Sequence, residues 1–138
     1  MKDPHEIIIR PRITERSAAL SYGDEAAARQ RLINAARAQS KKTGKTVAAE
    51  SVSDADLVRK YTFEVATNAN KLEIKAAIEA IYNAGRKKED AISVSSVRTM
   101  KVLGKKRRRG AKSVGYEPDK KKAIITLGVG QMLEDYGV

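Results

Sequence analysis

The stretch YTFEVATNANKLEIKAAIEAIY, which covers Tyr61–Tyr82, decides the fold because a strand pattern and a helix pattern stand side by side in it. At its start, Tyr61, Phe63 and Val65 alternate with polar or small side chains. Strict alternation places the two kinds of side chain on opposite faces of an extended chain, so a half-buried strand is predicted over residues 61–66. The apolar face of such a strand needs a packing partner.

The second half of the stretch supplies that partner as a helix from Lys71 to about Tyr82. Asn70 precedes the helix and Glu73 stands three residues further on, an arrangement that satisfies free backbone N–H groups at a helix start. Gly85 follows as a terminator. The apolar side chains at helical spacing, which mark the predicted buried face, are Ile74, Ile78 and Ile81.

Shorter elements flank this stretch on both sides. Residues 6–10 are a β-branched run ended by Pro11, which predicts a strand, and Thr14 caps a helix predicted from residue 15 to about 22. Two more strands are predicted, from residue 94 to about 103 and from 123 to about 128. The apolar phase slips between Val94 and Val97, which indicates a bulge.

The predicted order is strand, helix, strand, helix, strand, strand. It is typical of an α/β fold, a two-layer sandwich with a mostly antiparallel sheet, ferredoxin-like or RRM-like. A long basic hairpin loop, at about 103–122, joins the last two strands, and a helical insertion occupies about 23–60. A chain of 138 residues fits one domain, so residues 1–138 are predicted to form a single one.

The insertion begins with Asp24, a plausible helix cap, and continues through an alanine-rich stretch of high helix propensity as far as residue 42. Leu32, Ile33 and Ala36 form only a narrow apolar stripe. We therefore expect this helix to be exposed or packed on a partner. Residues 43–56 predict a loop.

The composition favours a polyanion as partner. Lys and Arg number 28 against 17 Asp and Glu, a formal charge of +11, which leaves nucleic acid and an anionic membrane surface as the obvious candidates. There is no cysteine, and no segment approaches the roughly 20 apolar residues of a membrane helix. We expect a soluble protein without membrane insertion, located in the cytoplasm if it is bacterial.

Most of the net charge lies between residues 101 and 122, which hold ten basic and two acidic side chains. In isolation this stretch should be mobile because its charges repel each other, whereas on a polyphosphate it could become ordered. A solvated loop or a targeting signal is the alternative interpretation. The residues predicted to bind RNA are Arg10, Lys71, Lys75, Lys101, Lys105, Lys106, Arg107, Arg108, Arg109, Lys112, Lys121 and Lys122.

Catalysis finds little support in the sequence. His5 is the only histidine, no cysteine can act as nucleophile, and Gly128 and Gly130 lack the context of a phosphate-binding loop. We therefore predict no enzymatic activity, no cofactor and no metal site. Tyr61 and Phe63 share one face and could stack on RNA bases, but that face is better read as core.

Four segments resemble the family of large-subunit ribosomal protein twenty-three, in its bacterial or organellar form. They appear in the family's order and cover less than half of the chain. They are IIIRPRITERS (Ile7–Ser17), YTFEVATNANKLEIKAAIEAIY (Tyr61–Tyr82), VSSVRTMKVLGKKRRRG (Val94–Gly110) and PDKKKAIITL (Pro118–Leu127).

The resemblance implies a structural constituent of the large ribosomal subunit that binds large-subunit ribosomal RNA near the exit of the peptide tunnel. It also implies neighbouring ribosomal proteins as partners, and a docking surface for trigger factor and the signal recognition particle. The family's docking carboxylate corresponds here to Glu15, which is otherwise a first-turn helix acid favoured by the helix dipole. A free-standing RNA- or DNA-binding regulator is the alternative.

Three features depart from the family pattern. Residues 23–60 replace a connection of a few residues, GRKKEDAIS (Gly85–Ser93) lengthens the turn after the main helix, and Lys120 stands where an aromatic is common. The insertion carries eight basic and five acidic residues. We hypothesise that its helix lies on neighbouring RNA or on a neighbouring ribosomal protein.

Overall fold

The computed structural model describes residues 2–46 and 51–136. The helices in this part of the chain are α1 (Pro4–Ile7), α2 (Glu15–Tyr22), α3 (Glu25–Thr43) and α4 (Lys71–Asn83). The strands are β1 (Ile8–Pro11), β2 (Lys60–Val65), β3 (Val94–Val102), β4 (Lys106–Arg109), β5 (Ser113–Tyr116) and β6 (Lys120–Leu127). Two 3₁₀ turns lie at Asp54–Asp56 and Lys88–Asp90.

The main sheet has the order β1-β2-β6-β3, and each neighbouring pair is antiparallel. The predicted α/β sandwich with an antiparallel sheet is therefore confirmed. The strands of the main sheet and the helices between them run β1, α2, α3, β2, α4, β3, β6, which is the predicted order with the insertion helix α3 added. Ferredoxin-like domains run strand, helix, strand, strand, helix, strand. The last two strands thus come directly after α4, and the basic segment between them leaves from one end of the sheet.

The core lies between α4 and the sheet. Ile74, Ala77 and Ile78 of α4 are buried, while Ile81 is only half-buried, so the predicted helical face is right except at its last turn. The backbone N–H of Asn70 donates to Glu73 Oε2 over 2.8 Å, which confirms the predicted start of this helix. The sheet side chains that complete the core are Tyr61, Phe63, Val65, Val94, Ala123, Ile125 and Leu127.

The aromatic residues of the core settle whether Tyr61 and Phe63 form a stacking platform. Tyr61 and Phe63 are 2% and 1% exposed, and the Tyr136 ring packs edge-on against both. Burial raises the pKa of Tyr61, whose hydroxyl oxygen accepts a hydrogen bond from the Leu133 backbone N–H. These rings are therefore core and unavailable to nucleic-acid bases.

The prediction that β2 is half-buried is wrong, because Thr62 and Glu64 on its other face are buried as well. α2 packs against β2, and the Arg10 side chain of β1 donates to Glu64 Oε2 over 2.9 Å. Alternation in one strand reveals which side chains share a face. It does not reveal that a neighbouring helix and an ion pair cover the polar face too.

The first strand starts later than predicted. Residues 6 and 7 belong to α1, because Asp3 accepts a hydrogen bond from the His5 backbone N–H and Pro4 suits the first helical position. Pro11, predicted to end the strand, is its last residue and lies opposite Phe63. At this sheet edge the missing N–H of proline costs no ladder hydrogen bond.

The last two strands follow the prediction in part. β3 has the expected bulge, since its register against β6 shifts between Val94 and Ser96. β6 begins at Lys120, three residues before the predicted start at residue 123. Lys120 also occupies the position where an aromatic is common in the resembled family, and it pairs with Val102.

The lengthened turn after α4 is braced by one side chain. The Asn83 amide donates to the Ile92 carbonyl oxygen over 2.9 Å and accepts from the Ile92 backbone N–H over 2.6 Å. Both hydrogen bonds close the segment Gly85–Ala91 onto the end of the helix. The added residues therefore extend a fixed turn without disturbing the entry into β3.

The insertion forms the predicted helix, α3, capped by Asp24 and ended by Gly44 in the left-handed conformation at φ +67°. Only Ala28 of this helix is buried. After it the predicted loop holds the 3₁₀ turn Asp54–Asp56, and part of that loop, residues 47–50, lies outside the described residues.

Candidate RNA-binding surface

The basic segment between β3 and β6 folds as a two-stranded antiparallel ribbon, which the sequence analysis had predicted only as a loop. β4 and β5 pair from Lys106 opposite Tyr116 to Arg109 opposite Ser113. Residues 105–120 are all exposed, so the ribbon projects from the domain without a core of its own. Gly110, at φ +73°, provides the left-handed residue that its turn needs.

The base of the ribbon is a tight junction. The Gly104 backbone N–H donates to Asp119 Oδ1 over 2.7 Å, and the Glu117 backbone N–H donates to the Lys105 carbonyl over 2.9 Å. A Cβ atom on Gly104 would collide with the Glu117 carbonyl oxygen. Gly104 is thus required by the close approach of two backbones, and it fixes the direction in which the ribbon leaves the sheet.

The two faces of the ribbon differ in chemistry. Paired residues of an antiparallel ladder point to the same side. Lys106 and Arg108 therefore share a face with Val114 and Tyr116, while Arg107 and Arg109 share the other with Ser113 and Gly115.

Tyr116 was missed by the sequence analysis. Its side chain is 75% exposed and is the one aromatic ring in a ribbon of cations, a setting in which a nucleobase can stack. The signal was available, because Tyr116 is the only aromatic between residues 101 and 122.

Two of the six cations of the ribbon already make a hydrogen bond within the protein. Arg107 Nε donates to Glu117 Oε1 over 2.8 Å, and an Arg108 terminal nitrogen donates to the Ala111 carbonyl over 2.6 Å. Within the described residues, no acidic partner lies within ion-pair distance of the remaining four. These free ribbon cations are Lys105, Lys106, Arg109 and Lys112.

The charged surface continues onto the end of the sheet. Lys101 lies directly opposite Lys121, and like charges in opposed positions are unfavourable. Lys121 Nζ donates to the Ala69 carbonyl over 2.8 Å, which partly satisfies it within the protein. A bound anion would relieve the remaining repulsion, so this pair suits a polyanion.

A second cross-strand row lies one residue further along β6, on the opposite face of the sheet. Arg10 lies opposite Glu64, and Glu64 lies opposite Lys122. Glu64 therefore stands between two predicted RNA-binding residues and pairs with Arg10 over 2.9 Å. Arg10 keeps 62% of its side chain exposed and shares its charge with this carboxylate.

The start of α4 lies at the same end of the sheet. Glu73 accepts from the Asn70 backbone N–H, which lowers the pKa of Glu73, and the positive charges of Lys2 and Lys121 lower that pKa further. Lys71 and Lys75 are exposed on this helix, one turn apart. The sheet end therefore carries predicted RNA-binding residues on both of its faces, with Lys101 and Lys121 on the α4 side and Arg10 and Lys122 on the opposite side.

Glu15 is the first residue of α2 and is exposed. The Ser17 backbone N–H donates to Thr14 Oγ1, so Thr14, and not Glu15, caps the start of this helix. Thr14 itself lines a groove with Arg10, Glu64 and Lys120. Glu15 therefore stands at the margin of the basic surface.

Two further properties of the described residues bear on function. They contain no group of three or more His, Cys, Asp or Glu side chains arranged to hold a metal ion. No helix among residues 2–46 and 51–136 has the length and apolarity to cross a membrane.

An antiparallel α/β domain that extends a cationic ribbon and backs it with basic residues on the sheet end defines a class of protein built to bind polyanions. Comparison with known proteins specifies the class: the family model described as ribosomal protein L23 matches residues 42–134. The chain belongs to this family, which confirms the resemblance. As a member of a ribosomal protein family it is a structural protein and not an enzyme.

Three relatives share the name large ribosomal subunit protein uL23. That of Roseiflexus castenholzii is 48% identical over 75 residues, which cover 54% of this chain and 70% of the relative. That of Roseiflexus sp. strain RS-1 is 35% identical over 132 residues, covering 96% and 94%. That of Heliobacterium modesticaldum is 43% identical over 134 residues, covering 97% and 95%.

Proposed function

We propose that this protein is a structural constituent of the large ribosomal subunit, bound to ribosomes in the cytoplasm, and that it binds large-subunit ribosomal RNA. The shared name of its relatives supports the assignment to the large subunit. One observation carries the RNA-binding part: the exposed ribbon presents Lys105, Lys106, Arg109 and Lys112 without acidic partners among the described residues. Cations on a projecting element that have no acidic partner can neutralise the phosphates of a folded RNA.

The ribbon recognises the shape of the RNA more than its sequence. Arginine and lysine side chains on both faces let phosphates approach from two sides, and the arginine fork binds two phosphate oxygens at once. Base edges in an A-form helix are poorly accessible from the deep, narrow major groove, so phosphates and unpaired bases are the natural contacts. Tyr116 offers a ring to such an unpaired base.

The binding experiment compares purified large-subunit ribosomal RNA with small-subunit ribosomal RNA at matched nucleotide concentration. The full chain should bind the large-subunit RNA more tightly, with an affinity that falls steeply as salt rises. Equal affinity for both RNAs would contradict the assignment and would favour a general nucleic-acid-binding protein.

We also propose that the protein lies near the exit of the peptide tunnel and offers a docking surface there for trigger factor and the signal recognition particle. The family resemblance motivates this proposal, and the exposure of Glu15 at the margin of the basic surface supports it. Arg16 follows it and lines a groove with Leu20, Val58 and Lys60, so a partner would meet charge and apolar surface together.

A matched pair of variants tests the docking role. Glu15 and Glu6 are both exposed acids in the first turn of a helix, so Glu15→Gln and Glu6→Gln remove the same kind of helix-dipole interaction, and Glu6 does not line the groove beside Arg16. Large subunits that carry the Glu15 variant should bind trigger factor more weakly than those with the Glu6 variant. Equal binding by both would remove Glu15 from the docking surface.

A further inference from the structure

The insertion helix α3 is held firmly at its start although almost all of it is exposed. Asp24 accepts from the Ala27 backbone N–H over 3.1 Å, and an Arg31 terminal nitrogen donates to the Asp56 carbonyl over 2.9 Å. Ala28 is 1% exposed and is the only buried residue of the helix. The Arg31 hydrogen bond and the buried Ala28 therefore join α3 to the rest of the chain, and most of its surface is left uncovered.

The uncovered surface is basic. The helix holds five cations against a single acid, Glu25, which sits in the first turn where the helix dipole favours it. Arg29, Arg37 and Lys41 are separated by multiples of four residues, so they belong to one ridge, which spans about 18 Å along the axis, winds about 120° round the helix and has half-buried Ile33 between Arg29 and Arg37. All three are exposed and have no ion-pair partner among the described residues.

The chemistry of α3 fits RNA better than a protein partner. A helix that binds in a protein groove presents apolar anchors at intervals of three, four and seven residues. Among the described residues, no large apolar side chain of α3 is fully exposed, and Leu32 and Ile33 are already half-buried. Outward it offers guanidinium and ammonium groups, amides and alanine methyl groups.

From this charge complementarity we propose that the Arg29, Arg37 and Lys41 ridge of α3 is a second RNA-binding site, which contacts backbone phosphates separately from the ribbon. An α-helix does not fit the narrow major groove of A-form RNA, so the ridge lies along phosphates at the groove edge or on the wide minor groove. This inference rests on the proposed function, because the RNA in question is the one the ribbon binds.

The test uses the full chain and purified large-subunit ribosomal RNA. The variant Arg29→Gln, Arg37→Gln, Lys41→Gln removes three charges and keeps good helix formers. The slope of log affinity against log salt should become shallower by about 2 to 3, so a fourfold rise in salt costs the variant about 20- to 40-fold less affinity than it costs the parent. Replacing Arg29 and Arg37 by lysine instead should restore the slope.

The control variant is Arg86→Gln, Lys87→Gln, Lys88→Gln, which removes three charges from the turn after α4. Of these cations Arg86 is ion-paired, 3.8 Å from Glu134, and Lys87 and Lys88 directly precede Glu89 and Asp90 in the chain, so the control slope should change less than that of the ridge variant. An equal change in both variants, or none in the ridge variant while the parent still binds, would overturn the second site alone. Loss of the variant from large subunits with an unchanged RNA slope would reassign α3 to a protein neighbour. No salt-dependent binding by the parent would overturn the proposed function and this inference together.

Discussion

Neutralising the free ribbon cations should flatten the salt dependence of RNA binding by an amount that the structure fixes. The ribbon holds six basic side chains, but Arg107 is paired with Glu117 and Arg108 is engaged by the Ala111 carbonyl. The variant to make therefore replaces only the free four, Lys105, Lys106, Arg109 and Lys112, by glutamine.

The expected magnitude follows from counterion release. Each phosphate neutralised contributes about 0.7 to 0.9 to the slope of log affinity against log salt, so four contacts contribute about 3 to 4. Between about 50 and 200 mM salt, the parent should lose about 50- to 150-fold more affinity than the variant. Counting all six cations of the ribbon from the sequence would have predicted a larger change in this slope.

Filter binding of the full chain to large-subunit ribosomal RNA across that salt range measures both slopes. The Arg86, Lys87 and Lys88 glutamine variant, used above, serves as the control for a general loss of positive charge. A change in slope below about 1 for the ribbon variant would mean that at most one of the four cations meets a phosphate, and would overturn the ribbon as the main RNA contact.

Three further outcomes follow from individual contacts. Gly104→Ala forces a Cβ against the Glu117 carbonyl at the ribbon base, so it should lower the free energy of unfolding in urea by about 1 to 3 kcal/mol and weaken RNA binding. Gly115→Ala is the control, because an added Cβ there meets nothing within 4 Å, and it should change neither quantity. Tyr116→Leu should weaken RNA binding by about 1 to 3 kcal/mol because it loses base stacking, whereas Tyr116→Phe should keep the affinity of the parent. Equal affinities for the parent and both variants would exclude stacking. The lowered pKa of Glu73 means that its carboxylate stabilises the fold above its ordinary pKa of 4.5 and that this stability is lost as pH falls through the lowered value. The melting temperature of the parent should therefore fall more between pH 7 and 3 than that of Glu73→Gln, and parallel curves would contradict the assigned cause.

Elements whose signals are local were predictable from the sequence. α4 follows from Asn70, Glu73 and the spacing of Ile74 and Ile78, all of which act within a few residues of each other. α3 follows from the Asp24 cap and its alanine content for the same reason. The bulge in β3 was visible as a slip in apolar phase.

What depended on distant contacts was not predictable. The burial of Thr62 and Glu64 results from α2 and from Arg10, which approach β2 only in the folded chain. Lys120–Lys122 were assigned to the loop because three consecutive cations lack the alternating pattern of a strand. They form a strand because they pair with β2 and β3 in the folded chain. The residue types alone likewise do not distinguish the free cations of the ribbon from the engaged ones. Arg107 meets Glu117 only when β4 and β5 have paired.

The central claim is that the protein is held in the large ribosomal subunit by its basic ribbon, and sedimentation of subunits from its own cells tests it most directly. Cells expressing either the parent or the variant with the four free ribbon cations replaced are lysed, and their subunits are separated before and after a moderate salt wash. The parent should be stoichiometric in the large-subunit fraction before and after the wash, while the variant should be depleted by the wash. Absence of the folded parent from that fraction would contradict the claim.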